Sequence, residues 1–155
     1  AIALCSGVWL DAQADKFEIA PGGNLKVTLT ALSRSPLDAR MVGERLIGMP
    51  GVPNVVIYPG PLVSNKPFQY SVTVKVPAAQ PYSQPYWLEQ PRDSSLYSVP
   101  DPEQVGNPEN APVLFATSRL NVGGSETALT RPAVHRSGHR VYGEPLRPLP
   151  LVLPV

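Results

Sequence analysis

The sequence has very little cysteine and no large excess of either charge. Its single cysteine, Cys5, has no second thiol for an intramolecular disulfide and no neighbouring ligands at the spacing of a zinc site. We expect it to serve as a small apolar side chain. Thirteen Lys and Arg residues nearly balance twelve Asp and Glu residues, so the net charge of +1 creates no field that attracts nucleic acid or an anionic membrane surface.

Long hydrophobic runs and a basic leader are also missing. No apolar stretch approaches the roughly 20 residues that a membrane helix requires, and the opening AIALCSG is unlike a secretory signal. We therefore predict no membrane partner. The sequence instead holds 20 prolines and 12 glycines among 155 residues, together with many Val, Ile and Leu side chains. This mixture is typical of a single β-rich domain with many turns and a hydrophobic core.

Strict alternation of apolar and polar residues predicts the main strands. The clearest runs are NLKVTLTAL and FQYSVTVKV, and VWLDAQAD shows the same period of two. Each run has one apolar and one polar face, as strands of antiparallel sheets do. The centre of the core is predicted to consist of Leu25, Val27, Leu29, Phe68, Tyr70, Val72 and Val74.

Weaker patterns complete an all-β fold. ARMVGERLIG, NVVIYPG, PVLFATSRLNV and SETALTRPAV are interpreted as further strands, and the last two flank Gly123 and Gly124, a pair typical of a tight hairpin. AIALCSG predicts a short N-terminal helical turn ending at Gly7. The proline-broken tail EPLRPLPLVLP suits a covered edge or an interdomain connector. We predict an immunoglobulin-like antiparallel β-sandwich; a division into two small β units near Pro77 is the alternative.

Residues 77–112 contain eight prolines and form a long irregular excursion. Its segment QPYSQPYWLEQP, residues 80–91, carries three aromatic side chains and leaves two interpretations open. Exposed Tyr82, Tyr86 and Trp87 rings would form a platform for sugar rings, with Gln84 and Glu89 bonding hydroxyls. Buried rings would instead be a plug that closes the core, and we expect Trp87 to be mostly buried, with one tyrosine hydroxyl near solvent.

No residue pattern in the sequence predicts catalysis, a metal or a cofactor. His135 and His139 are four apart, but Ser137 and Gly138 between them disfavour the helix that would align them, and no third ligand is close in sequence. The carboxylates of DPEQ lie in a proline-rich loop with no sign of desolvation. The arginines of the C-terminal quarter lack interleaved aromatics for a nucleic-acid groove. We assign no catalytic or metal-binding residue.

Several segments together resemble a known family. GVWLDAQADKFEIAPGGNLKVTLTALSRS, QPYSQPYWLEQP, YSVPDPEQVGNPENAPVL and TRPAVHR followed by GEPLRPLPLVLPV are similar to the region after the catalytic domain of large bacterial PIG-L-type deacetylases, which use zinc to remove acetyl groups from N-acetylglucosamine. The resemblance runs over nearly the whole chain. That family holds its metal with a His-Pro-Asp-Asp type motif, which neither His135 nor His139 begins, so no catalytic residue is carried over.

The resemblance implies a noncatalytic accessory domain of a multidomain hydrolase. Residues 1–155 would be one sandwich domain, with 1–7 the end of a preceding domain or linker and 145–155 an exit linker. Its partner would be the N-terminal deacetylase domain, and its location periplasmic or extracellular. The favoured function is a scaffold for that enzyme. The alternatives are a carbohydrate-binding module that uses the aromatics of the 80–91 segment and, remotely, an independent hydrolase.

Overall fold

The computed structural model describes residues 5–49, 52, 59–138, 143 and 146–152. Nearly all regular structure in these residues is β. In chain order the strands are β1 Val8–Ala14, β2 Asn24–Ser33, β3 Ala39–Ile47, β4 Gly60–Pro61, β5 Phe68–Lys75, β6 Phe115–Val122, β7 Ser125–Pro132, β8 Val134–Arg136 and β9 Leu146–Pro148. The predicted all-β fold is confirmed.

The strands form two sheets packed as a sandwich. One has the order β5-β2-β1-β8-β9 and the other β4-β3-β6-β7. All pairings between these strands are antiparallel except that of β1 with β8, which is parallel. The chain crosses between the sheets after β2, β4, β5 and β7, as in immunoglobulin-like sandwiches. The expected strand NVVIYPG lies mostly outside the described residues, at 54–58.

The core follows the predicted alternation. Leu25, Val27 and Leu29 are buried on β2 while Lys26 on the opposite face is exposed. On β5, Val74 is buried, and the three preceding apolar positions, Phe68, Tyr70 and Val72, are partly buried against the same core. β5 is an edge strand of its sheet among the described residues, which explains its lesser burial. The register predicted from the period of two is therefore confirmed.

The β6–β7 hairpin also forms as predicted. Val122 pairs with Ser125, and Gly123 and Gly124 between them adopt φ values of 57° and 86°. Two consecutive residues with positive φ make the tight turn whose twist matches the flanking strands, and glycine adopts this conformation without a Cβ clash. The two glycines thereby place β7 beside β6.

The chain ends are described in part. Residues 1–4 of the expected helical turn lie outside the described residues, while Cys5 is helical and Gly7 has a φ of 66°. Within the segment expected to be an exit linker, β9 is the edge strand beside β8 and its Leu146 is 56% exposed, while Leu149 and Leu151 are buried in the core. These two leucines bring the tail beside the proline-rich excursion.

Candidate functional site

The excursion begins at the end of β5 and crosses the tail near Leu151. Ser83 makes two contacts there: its backbone N–H donates to the Leu151 carbonyl at 2.9 Å, and its hydroxyl oxygen accepts the Leu151 N–H at 2.9 Å. Pro85, with a φ of −55°, then leads into a 3₁₀ turn over Tyr86–Leu88. Proline restricts φ before folding, so the turn loses less backbone entropy when it becomes ordered.

Tyr86 anchors this turn to the rest of the excursion. Its side chain is 7% exposed. Its hydroxyl donates to the Asn107 carbonyl at 3.2 Å, so the buried phenol has a partner, and its backbone N–H donates to Asn110 Oδ1 at 2.9 Å. Asn110 Nδ2 donates in turn to the Gln84 carbonyl at 2.8 Å. One asparagine side chain thus holds the two segments of the excursion together.

The remaining two rings are accessible. Tyr82 is 48% exposed, as expected for one of the two tyrosines, and Trp87 is partly exposed. The Trp87 ring meets Tyr86 edge-on, with centroids 4.9 Å apart and planes at 88°. Trp87 is thus largely covered, as expected, but Tyr86 is the more deeply buried of the two rings and makes the anchoring hydrogen bonds. In a 3₁₀ turn consecutive side chains point in different directions, so burying Tyr86 leaves Trp87 nearer the surface.

Tyr82 and Trp87 face an open groove of about 1200 Å³. Gln84 and Glu89 line it as well, so four of the five residues predicted to bind carbohydrate come together, and Tyr86 lies behind them. The other walls are formed by residues 108–113, by parts of the tail and by Phe17. The volume exceeds the roughly 300–1000 Å³ of typical small-molecule pockets. The groove therefore has room for an extended ligand.

Phe17 and Arg147 are among the groove residues that the sequence analysis missed. Phe17, 42% exposed, follows β1, and Arg147 lies on β9. The Arg147 guanidinium lies over the Phe17 ring, 5.7 Å from its centroid, and His135 meets the same ring edge-on at 6.1 Å. Phe17 is more than 115 positions before both His135 and Arg147 in sequence. The pairing of β1 with β8 and of β8 with β9 brings the three together, so no local pattern could have identified them.

Other ionisable residues considered in the sequence have structural contacts. Asp101 Oδ1 accepts the backbone N–H of Glu103 at 3.1 Å and caps a second 3₁₀ turn, Pro102–Gln104. His135 Nδ1 lies 3.2 Å from the Ala14 carbonyl oxygen, while His139 is outside the described residues. Within the described part of the chain, no three His, Cys, Asp or Glu side chains form a group suited to a metal.

The carboxyl group with a perturbed pKa lies away from the groove. Glu44 on β3 is 8% exposed between the sheets, and its burial raises its pKa, an effect opposed by hydrogen bonds from Tyr70 and Ser118. The Tyr70 hydroxyl donates to Glu44 Oε2 at 2.8 Å. Burial and the neighbouring Glu44 raise the pKa of Tyr70 too. This pair connects β3 with β5 across the sandwich and does not contact the groove.

Among the described residues, no helix is both long and apolar enough to span a membrane. The chain matches no family model, no curated protein and no solved structure. The resemblance to the PIG-L-type deacetylases thus stays a prediction from the sequence.

Proposed function

We propose that this chain is a noncatalytic module that binds glycans in the groove beside the 80–91 segment. The observation that carries the proposal is that the exposed Tyr82 ring and the partly exposed Trp87 ring line one groove. Aromatic faces pack against the apolar face of a pyranose ring, and nearby amide and carboxylate groups bond its hydroxyls. Gln84 and Glu89 supply such groups in the same groove.

The same observation weakens the scaffold hypothesis. That hypothesis rests on the sequence resemblance and takes the aromatic rings of the 80–91 segment as a plug of the core, whereas Tyr82 is 48% exposed in the groove. A scaffold needs no accessible aromatic groove, and a binding module does. We retain, as part of the proposal, a parent protein of the PIG-L deacetylase type located outside the cytoplasm. Its support is the sequence resemblance. In such a protein the module would hold the polymer near the catalytic domain.

The groove is held rigid before any ligand arrives, which favours binding. Ser83 fixes the excursion to the tail, and Asn110 fixes its two segments to each other. Rings held in a fixed geometry lose little rotamer freedom on binding, so more of the contact energy contributes to affinity. Tyr82 and Trp87 are each one or two residues from these fixed points.

The decisive experiment compares Trp87→Ala with Tyr97→Ala. Tyr97 is a matched control because it is an aromatic residue of the same excursion, is 53% exposed and does not line the groove. Calorimetry and affinity electrophoresis with chitin and peptidoglycan oligosaccharides would measure binding. We expect the unsubstituted chain to bind and Trp87→Ala to lose about tenfold or more in affinity, equivalent to about 1.4 kcal/mol.

Tyr97→Ala should bind like the unsubstituted chain. Thermal unfolding of all three proteins checks that the loss of binding does not reflect loss of folding. Failure of the unsubstituted chain to bind any of these oligosaccharides would contradict the proposal. So would equal affinity of the chain and its Trp87→Ala variant.

A further inference from the structure

Resting on the proposed function, we infer that the groove selects glycans that carry protonated primary amines. Neutral or N-acetylated glycans of the same length would bind more weakly. Selectivity of this kind would come from the charged residues that line the groove and from the contacts that their side chains make. Among the described lining residues these are Glu89, Glu109 and Arg147, a formal charge of −1 in a chain whose net charge is +1.

The two glutamates both adjoin the aromatic turn and its hydrogen-bond partner. Glu89 directly follows the turn Tyr86–Leu88, and Glu109 precedes Asn110, whose side chain bonds the Tyr86 N–H. Both side chains are exposed. Neither carboxylate takes part in the side-chain hydrogen bonds or the ion pair found among the described residues. Their acceptor oxygens are therefore available to a ligand that stacks on Trp87.

Arg147, the one cation among the described lining residues, is directed away from the two glutamates. Arg147 lies on β9, where it pairs with His135, and its guanidinium is directed over the Phe17 ring. It forms no ion pair with Glu89 or Glu109. The groove thus has a carboxylate-rich part beside Trp87 and a separate Phe17–Arg147 part. A uniformly anionic glycan would meet two unpaired carboxylates in the first part, and their repulsion would disfavour it.

A protonated amine is the ligand group that interacts most favourably with the carboxylates of Glu89 and Glu109. An ammonium group has three donors for carboxylate oxygens, its charge-assisted hydrogen bonds are stronger than those of neutral hydroxyls, and an aromatic face attracts a nearby cation. An N-acetyl group would replace this cation with a neutral amide and keep the rest of the sugar. The amine and N-acetyl forms of one oligosaccharide are therefore the matched probes.

The experiment measures the affinity of the chain for a glucosamine hexamer and for the corresponding N-acetylglucosamine hexamer. We expect the amine form to bind about tenfold more tightly at mildly acidic pH and low salt. Its advantage should shrink as salt screens the charges and as rising pH deprotonates the ligand. The affinity for the N-acetylated hexamer should change little under either treatment.

Glutamate variants locate the effect in the groove. Glu109→Gln should weaken binding of the amine hexamer several-fold and leave the N-acetylated hexamer unaffected. Glu89→Gln keeps an amide that can bond sugar hydroxyls, so it should weaken binding of the amine hexamer several-fold and that of the N-acetylated hexamer by a smaller factor. Glu126→Gln is the matched control, because Glu126 is exposed on β7 outside the groove. Equal loss in this control would overturn the inference by showing that only net charge matters. Equal affinity for the two hexamers would also overturn it while leaving the proposed function intact, whereas binding of neither would contradict both.

Discussion

The sandwich and the proline-rich excursion are stabilised in different ways. In the sandwich, backbone groups pair along ladders such as β2 with β5 and β6 with β7, and apolar side chains fill the space between the sheets. In the excursion, residues 77–112, one buried ring and a few side-chain hydrogen bonds hold an irregular backbone. The sandwich provides a support with many redundant contacts, whereas the excursion depends on single residues.

This difference matters for the proposed function. An irregular segment can leave aromatic rings exposed because it does not need them for its own core, apart from Tyr86. The sandwich has no such freedom on its inner faces, where nearly every apolar side chain is covered. The groove therefore lies where the excursion meets the sandwich edge. The following changes test whether the two regions are as separate as this comparison suggests.

The largest effect is expected from truncation in the sandwich. Leu29, 1% exposed, packs in the main core cluster on β2. Leu29→Ala should lower the free energy of unfolding by about 2–5 kcal/mol, since it removes buried methyl groups and leaves a cavity. Thr73→Ala, on the outer face of β5, should change it by less than about 0.5 kcal/mol. Chemical denaturation measures both, and similar values for the two variants would contradict the packing described.

A smaller global effect is expected from removing the excursion's anchor. Tyr86→Ala deletes a buried ring and its hydrogen bond to the Asn107 carbonyl. Such truncations cost about 3–5 kcal/mol where the whole fold depends on the ring. Because the excursion is joined to the sandwich by few contacts, we expect it to open locally in this variant, with a loss of only about 1–2 kcal/mol in global unfolding.

Amide hydrogen exchange tests this local opening. In Tyr86→Ala, protection should disappear at Leu88 and Ser83, whose N–H groups bond within the excursion and to the tail. The amides of β2 and β6 should stay protected. Loss of protection in those strands to the same degree would mean that the sandwich and the excursion unfold together and are not stabilised separately.

A still smaller change concerns the hydrogen bonds of Asn110. Asn110→Ala removes both bonds of its side chain, each worth about 1 kcal/mol net, and should loosen the turn without unfolding the sandwich. Asn110→Asp keeps the acceptor for the Tyr86 N–H but loses the donor to the Gln84 carbonyl, so its effect should be intermediate. The rate of hydrogen exchange at the Tyr86 amide measures how much each variant loosens the turn. An Asp variant as loose as the Ala variant would show that the Tyr86 bond contributes nothing.

The sandwich was largely predictable from sequence because one rule operates along each strand. The alternation of Leu25, Val27 and Leu29 with polar residues sets which face is buried, and Gly123 with Gly124 sets the β6–β7 turn. Both signals are local. The burial of Phe68, Tyr70 and Val72 was overestimated because it also depends on β5 being an edge strand, which is a property of the sheet and not of the segment.

The candidate site was predictable only in part. The aromatic segment was found because its composition is unusual, and four of its five named residues do line one groove. The sequence did not reveal whether Tyr86 or Trp87 is buried, since an irregular turn has no period from which to infer a face. Phe17, Asn110 and Arg147 were missed because tertiary contacts, not neighbours in sequence, bring them to the site.

The smallest expected effect on stability concerns Glu44, the buried carboxyl group of the sandwich. Glu44 bonds Tyr70 of the opposite sheet, so here the sandwich, like the excursion, uses a side-chain hydrogen bond to join two segments. Burial raises the pKa of Glu44 above its ordinary value of 4.5, which means that the folded state holds this proton more tightly than the unfolded state. The contribution of Glu44 to stability is then full below pH 4.5 and is lost as the pH rises through the raised pKa.

Glu44→Gln tests this dependence, because an amide has a similar shape and does not titrate. We expect the free energy of unfolding of the unsubstituted chain, relative to that of Glu44→Gln, to fall as the pH increases from about 4.5 towards neutrality. Tyr70→Phe provides the second comparison: it removes a hydrogen bond that lowers the pKa of Glu44, so the fall should move to higher pH. Urea denaturation at a series of pH values measures all three proteins. Parallel curves for the unsubstituted chain and Glu44→Gln would mean that Glu44 has the same proton affinity folded and unfolded. Glu44 would then make no contribution to the pH dependence of stability over this range, and the Tyr70 hydrogen bond would join the two sheets without any such contribution.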